Sequence, residues 1–160
     1  MRELILGLAL AAASLTAPTA HTGEIIDATD PAEVLEVVRN HGEGTMTKDG
    51  MGDPLIEGRI EDKDYRLFFY DCSEGRGCKS LMFSATWEIE DLTDARIADW
   101  NREQRFGKAY LDTEGRATVE MNVNLHGGVT RANLDDTIGW WRLVLAEFPK
   151  YHDPLRWFLR

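Results

Sequence analysis

The sequence has little cysteine, little histidine and no surplus of positive charge, and each shortage removes a class of function. Two cysteines are too few for a small fold built on several disulfides. With four scattered histidines they offer no four-ligand spacing for a zinc site. Eighteen Lys and Arg stand against 28 Asp and Glu, a formal net charge of -10. That balance argues against a nucleic-acid binder and against electrostatic docking on an anionic membrane. The Gly-x-Ser-x-Gly elbow, the dinucleotide and P-loop glycine patterns and EF-hand spacing are missing. Nothing nominates a catalytic set or a cofactor. After the first 20 residues no apolar run approaches the roughly 20 needed to cross a bilayer.

What is present is globular: 160 residues, 43% hydrophobic and 9% aromatic, enough for one domain. The N-terminus reads as an address. Arg2, beside Glu3, precedes an uncharged run of twelve residues, Leu4 to Leu15, then Thr16-Ala17-Pro18-Thr19-Ala20. This is the layout of a secretory signal peptide, with cleavage expected after Ala20 and residues 21–160 left as a single domain. A buried helix or a retained anchor is the alternative. Charge is uneven beyond it. Residues 21–90 hold 16 acids and 7 bases, residues 91–160 hold 11 acids and 10 bases. A solvated surface explains this, and an acidic face for a basic partner is the sharper reading.

Asp30-Pro31-Ala32-Glu33 opens a helix with Val34, Leu35, Val37 and Val38 on one face, ended by Gly42 and Gly44. Gly50, Gly52 and Pro54 punctuate a loop. Strands are expected at 55–60, 65–70, 81–87, 109–111 and 117–125, the last alternating apolar and polar throughout. A second helix runs from Asp94 to Gln104 behind Thr93. A third runs from Thr130 to Phe148 with Leu134, Ile138, Trp141 and Leu145 as a buried stripe, stopped by Pro149. The tail from Tyr151 to Arg160 is apolar and is expected to pack back on the core, a partner surface being the alternative. Strands in antiparallel-looking runs give an α+β fold: a single antiparallel sheet with helices mainly on one face.

Cys72 and Cys78 flank the loop between two strand candidates, which in an exported protein predicts a structural disulfide across a hairpin. The densest segment is Asp99 to Asp112. Fold specification by buried aromatics is one reading of it. A recognition surface of Trp100, Asn101, Arg102, Arg105 and Tyr110 is the other.

These residues resemble a known family. Trp100-Asn101-Arg102-Glu103-Gln104-Arg105-Phe106 followed by Lys108-Ala109-Tyr110-Leu111-Asp112 is similar to the WNxxxRFxxAYLD signature of the YbjN domain family. Tyr70-Asp71-Cys72 with Cys78-Lys79-Ser80-Leu81-Met82-Phe83, Glu120-Met121, Gly127-Gly128-Val129 and Trp140-Trp141 are similar too, so the likeness runs from Asp30 to Phe148. It implies a bacterial sensory-transduction regulator with a fold like the type III secretion chaperones and no defined catalytic residues. Much of that family is cytoplasmic, whereas this chain carries an apparent leader. Asn122 and Asn124 stand where an acid is expected. The expected function is a non-enzymatic binding module, periplasmic or secreted, whose partner is a protein, a second copy being one candidate. A periplasmic small-ligand binder or enzyme is the alternative.

Overall fold

Each helix starts where a side chain satisfies its first free amides. In the computed structural model, which describes residues 23–28 and 30–151, Asp30 Oδ1 accepts from Ala32 N–H at 3.0 Å and opens α1, Pro31–Arg39. Thr93 accepts from Arg96 N–H ahead of α2, Asp94–Glu103. Thr130 accepts from Asn133 N–H at 3.1 Å ahead of α3, Arg131–Glu147. The α3 stripe of Leu134, Ile138, Trp141 and Leu145 is buried as its spacing requires. At Pro149 the chain tightens into a 3-10 turn, Phe148–Lys150. The expected leader, residues 1–20, and the tail beyond Tyr151 lie outside the described residues.

Six strands form one antiparallel sheet: β2 Glu43–Lys48, β3 Pro54–Ile60, β4 Lys63–Tyr70, β5 Ser80–Trp87, β6 Lys108–Leu111 and β7 Ala117–Asn124. Their spatial order is β2-β3-β4-β5-β7-β6, because α2 carries the chain to the far edge before β7 returns beside β5. The expectation of a single sheet is corrected. β1, Ile25–Ile26, pairs with β8, Val129–Thr130, as a separate ribbon. Two-residue strands are too short to leave an alternation. This ribbon is held instead by Arg131 on Glu24, at 2.5 Å, and by the burial of Ile26.

β2 was also not expected. Its sequence has one apolar residue, Met46, between two glycines, and reads as helix end and loop. In the fold α1 ends at Arg39, and Gly44 lies in β2, where Leu35 and Val38 pack over it. The strand is an edge, which tolerates a polar sequence.

The register gives the sheet two unlike faces. Ile56, Leu67, Phe83 and Met121 share one row and point to the core. α1 packs there over β2 and β3, and α3 lays Trp141 on Phe83, ring centroids 5.4 Å apart. His41 at the end of α1 meets Asp135 of α3 at 2.8 Å. At the β6 edge, α2 packs on that strand. No described helix lies over the opposite face.

Cys72 and Cys78 form a disulfide that closes the β4–β5 connection. Replacing both with serine is expected to cost about 2 kcal/mol on the chain-entropy estimate for so short a loop. Urea unfolding of the variant measures this, and an unchanged midpoint would contradict it.

Candidate functional site

The segment from Trp100 to Asp112 is held together mainly by bonds within itself. Trp100 is 1% exposed, and its indole N–H donates to Gly107 O at 3.1 Å. The Asn101 carboxamide accepts from Ala109 N–H at 2.8 Å and donates to Ala109 O at 2.9 Å. It takes the place of a further strand on the outer edge of β6 and blunts that edge. Lys108 Nζ donates to Asn101 O and Gln104 O, where a cation meets the carbonyls ending α2. Gly107 turns the chain at φ 68°, and a Cβ there would lie 2.9 Å from Val119 Cγ1. Asp112 Oδ1 accepts from Glu114 N–H and Arg116 N–H, and Oδ2 from Arg116 Nε, closing the β6–β7 turn. Against a desolvation effect that pushes it up, those bonds and the Arg116 charge hold the Asp112 carboxyl below the usual carboxylate range.

The five residues expected to form one recognition surface therefore separate. Trp100 belongs to the core, because its ring fits between Phe148 and Tyr151, at 4.9 and 5.3 Å. Asn101 is spent on the backbone of β6. Arg102 is exposed and ion-paired to Asp99 within α2. Arg105 lies 5.0 Å from the centroid of the Phe106 ring, which stacks on Trp140 at 4.4 Å. Only Tyr110 projects from the open face of the sheet.

That face was not singled out from the sequence. It carries Arg66, Phe68 and Tyr70 from β4, Ser80, Met82 and Ser84 from β5, Glu120, Asn122 and Asn124 from β7, and Tyr110 from β6. Phe68 and Tyr70 stack with centroids 6.3 Å apart. Tyr70 is 40% and Tyr110 43% exposed. A groove of about 460 Å³ crosses the face, lined by Glu57, Asp64, Arg66, Phe68, Thr86 and Arg116, among others. The signal was there to find: in strand 65–70 the outward positions are Arg66, Phe68 and Tyr70, and the last two stand where a solvated face calls for polar residues.

Both exposed phenols resist ionisation. Tyr110 is pushed up to about 12 by desolvation, then by the Glu120 carboxylate it donates to at 2.8 Å and the charges of Glu120 and Asp112. Tyr70 is raised by desolvation, then by Glu120 and Asp49. A raised folded pKa contributes stability that is complete below the ordinary value of 10.0 and is lost as pH rises through about 12. In an alkaline titration followed by phenolate absorbance, Glu120→Gln is expected to move Tyr110 and, by less, Tyr70 to lower pH. An unchanged curve would contradict the assignment.

Among the described residues no group of three or more His, Cys, Asp or Glu is placed to hold a metal ion. No described helix is long and apolar enough to cross a membrane. A search of curated proteins finds no match to the chain. A family model does match: that of YbjN, described as "putative bacterial sensory transduction regulator", covers residues 30–150, and the chain belongs to the YbjN family.

Proposed function

We propose that the protein is an exported, non-enzymatic regulatory module that acts by binding another protein across the open face of its six-stranded sheet. One observation carries this reading: the sheet has a face with no described helix over it, and that face presents Phe68, Tyr70, Met82 and Tyr110 rather than a solvated polar row. Exposed aromatics set among polar residues are the composition of binding hot spots. A chaperone-like use of the face, holding a segment of a partner, fits the same geometry. The family's description as regulators supports a binding role.

Export rests on the leader, residues 1–20, and is supported by the Cys72–Cys78 disulfide, which suits an oxidising compartment. Periplasmic protein whose N-terminus begins at His21 would bear it out. Unprocessed cytoplasmic protein would overturn it.

Docking is tested with a photoreactive amino acid placed at Met82 on the open face, or at Leu143, 55% exposed on α3. Crosslinking in cells to one discrete protein, or to a second copy, from position 82 and not from 143 is the expected result. Capture from 143 alone would contradict the reading.

The groove favours a second reading, a small-ligand binder. A ligand at a hundred times its Kd adds about 2.7 kcal/mol, so a thermal-shift screen against metabolites detects it, and a flat response across a broad panel would discard it.

A further inference from the structure

Among the described residues no cation pairs with Glu120, a carboxylate on the open face. In the sheet register it sits directly opposite Lys108 on β6 and Ser84 on β5, with Arg66 in the next strand of the same row. A cross-strand Glu–Lys pair is the ordinary outcome of such a register. It does not form here. Lys108 Nζ is turned onto Asn101 O and Gln104 O at the end of α2, at 2.9 and 3.1 Å. Arg66 makes no ion pair in the described structure either, and Glu57 is its register neighbour on β3. The one bond Glu120 receives is from the neutral Tyr110 hydroxyl, at 2.8 Å. Tyr110 stands beside this carboxylate on β6, and the stacked Phe68 and Tyr70 lie farther along the same face on β4, in the rows of Asn122 and Asn124. The Asn122 and Asn124 amides continue the β7 row.

From this arrangement we infer that the open face receives a basic segment of its protein partner, with a Lys or Arg side chain seated against the Glu120 carboxylate beside the Tyr110 ring and the rest of the segment lying toward Phe68 and Tyr70. The inference rests on the reading of the open face as the docking surface and adds the chemistry of the occupant. Aromatic rings present a negative face to a cation, and a nearby carboxylate adds a charged acceptor. The complementarity extends beyond the contact. The chain carries a net charge of -10, and residues 21–90 supply 16 acids against 7 bases, so a basic partner is drawn to it at long range. After desolvation, the largest effect on both phenols, the Glu120 carboxylate raises Tyr70 and Tyr110, with Asp49 acting on the first and Asp112 on the second. An acidic segment would have to settle against the Glu120 carboxylate, with Lys108 already spent on the α2 carbonyls and Arg66 left as an anchor.

The test uses the full chain and a labelled peptide, Lys–Gly–Lys–Leu–Lys–Gly–Lys–Leu, with a counterpart in which every Lys is Glu. The basic peptide is expected to bind and the acidic one not. Tyr110→Ala combined with Glu120→Gln is expected to weaken binding about tenfold, the loss of one cation–aromatic contact and one ion pair. Tyr110→Phe, which keeps the ring face, is expected to bind like the parent. Glu33→Gln removes the same charge from α1, on the other side of the molecule, and is expected to change binding less than about twofold, the screened effect of a remote charge. Equal losses from Glu33→Gln and from the double variant would reduce the binding to net charge and overturn the inference. Tighter binding of the acidic peptide would also overturn it. If crosslinking from position 82 persists undiminished in the double variant, the docking face stands and the cationic occupant does not.

Discussion

Trp100→Ala is expected to lower the folding free energy by about 3–5 kcal/mol, the cost of emptying a fully packed tryptophan site. The indole is 1% exposed and meets Phe148 and Tyr151 edge to face, at interplanar angles of 86° and 89°. It joins three parts of the fold: α2, the 3-10 turn after α3, and Gly107 ahead of β6. Truncation removes all three contacts and leaves Gly107 O without its donor. For a domain of ordinary stability, about 5–15 kcal/mol, that is a large share of the total. Trp100→Phe keeps much of the ring area and loses the indole N–H, so it is expected to cost less, with about 1–3 kcal/mol from the orphaned carbonyl. Urea unfolding followed by circular dichroism measures both. A loss under about 1 kcal/mol for Trp100→Ala, well below the range for buried tryptophan, would return this residue to the list of surface candidates.

Gly58→Ala is expected to cost about 1–3 kcal/mol by overpacking, and to do so through one side chain. Gly58 pairs with Tyr65 across β3 and β4, and the Tyr65 ring occupies the space beside the glycine. A Cβ at 58 would sit 2.3 Å from Tyr65 Cζ and 2.7 Å from its hydroxyl. The ring has nowhere to go. It is 3% exposed and enclosed by Phe83 and Trp141, with centroids 6.0 and 6.1 Å away. Burial alone raises the Tyr65 pKa well above the ordinary value, and its hydroxyl has no hydrogen-bond partner in the described structure. Tyr65→Phe is therefore expected to be neutral or stabilising, because it deletes a buried donor that bonds nothing. The two substitutions touch one another, so Gly58→Ala is expected to cost less in the Tyr65→Phe background. A fully additive double mutant would show that the hydroxyl takes no part in the clash.

The parts of the fold that were legible in the sequence are those where burial imposes a period. The alternation in β5 and β7 placed Leu81, Phe83, Ala85, Val119 and Met121 inward, and the α3 stripe placed Trp141. Helix starts were legible because Asp30, Thr93 and Thr130 are the residue types that satisfy free amides. The disulfide was legible because Cys72 and Cys78 flank one hairpin connection. What failed to show were elements with little to bury. β2 has a single apolar residue, and β1 and β8 have two residues each, so neither propensity nor period marks them. The segment from Trp100 to Asp112 stayed open between two readings for a different reason. Trp, Asn and Arg at high density read equally as recognition or as a staple, and only the geometry separates them. Trp100 and Asn101 proved to bond β6 and the turn before it, while Phe68, Tyr70 and Met82 were hidden as ordinary strand residues until the sheet face they share was found open.

Binding is proposed on the open sheet face and not at the α2 end. Co-purification from cells with full-length Met82→Asp and Arg105→Ala, at matched thermal stability, tests it most directly. Met82→Asp is expected to lose the partner, and Arg105→Ala, which removes an exposed side chain resting on Phe106, is expected to keep it. Retention by Met82→Asp together with loss by Arg105→Ala would place the docking surface at the end of α2 and contradict the claim.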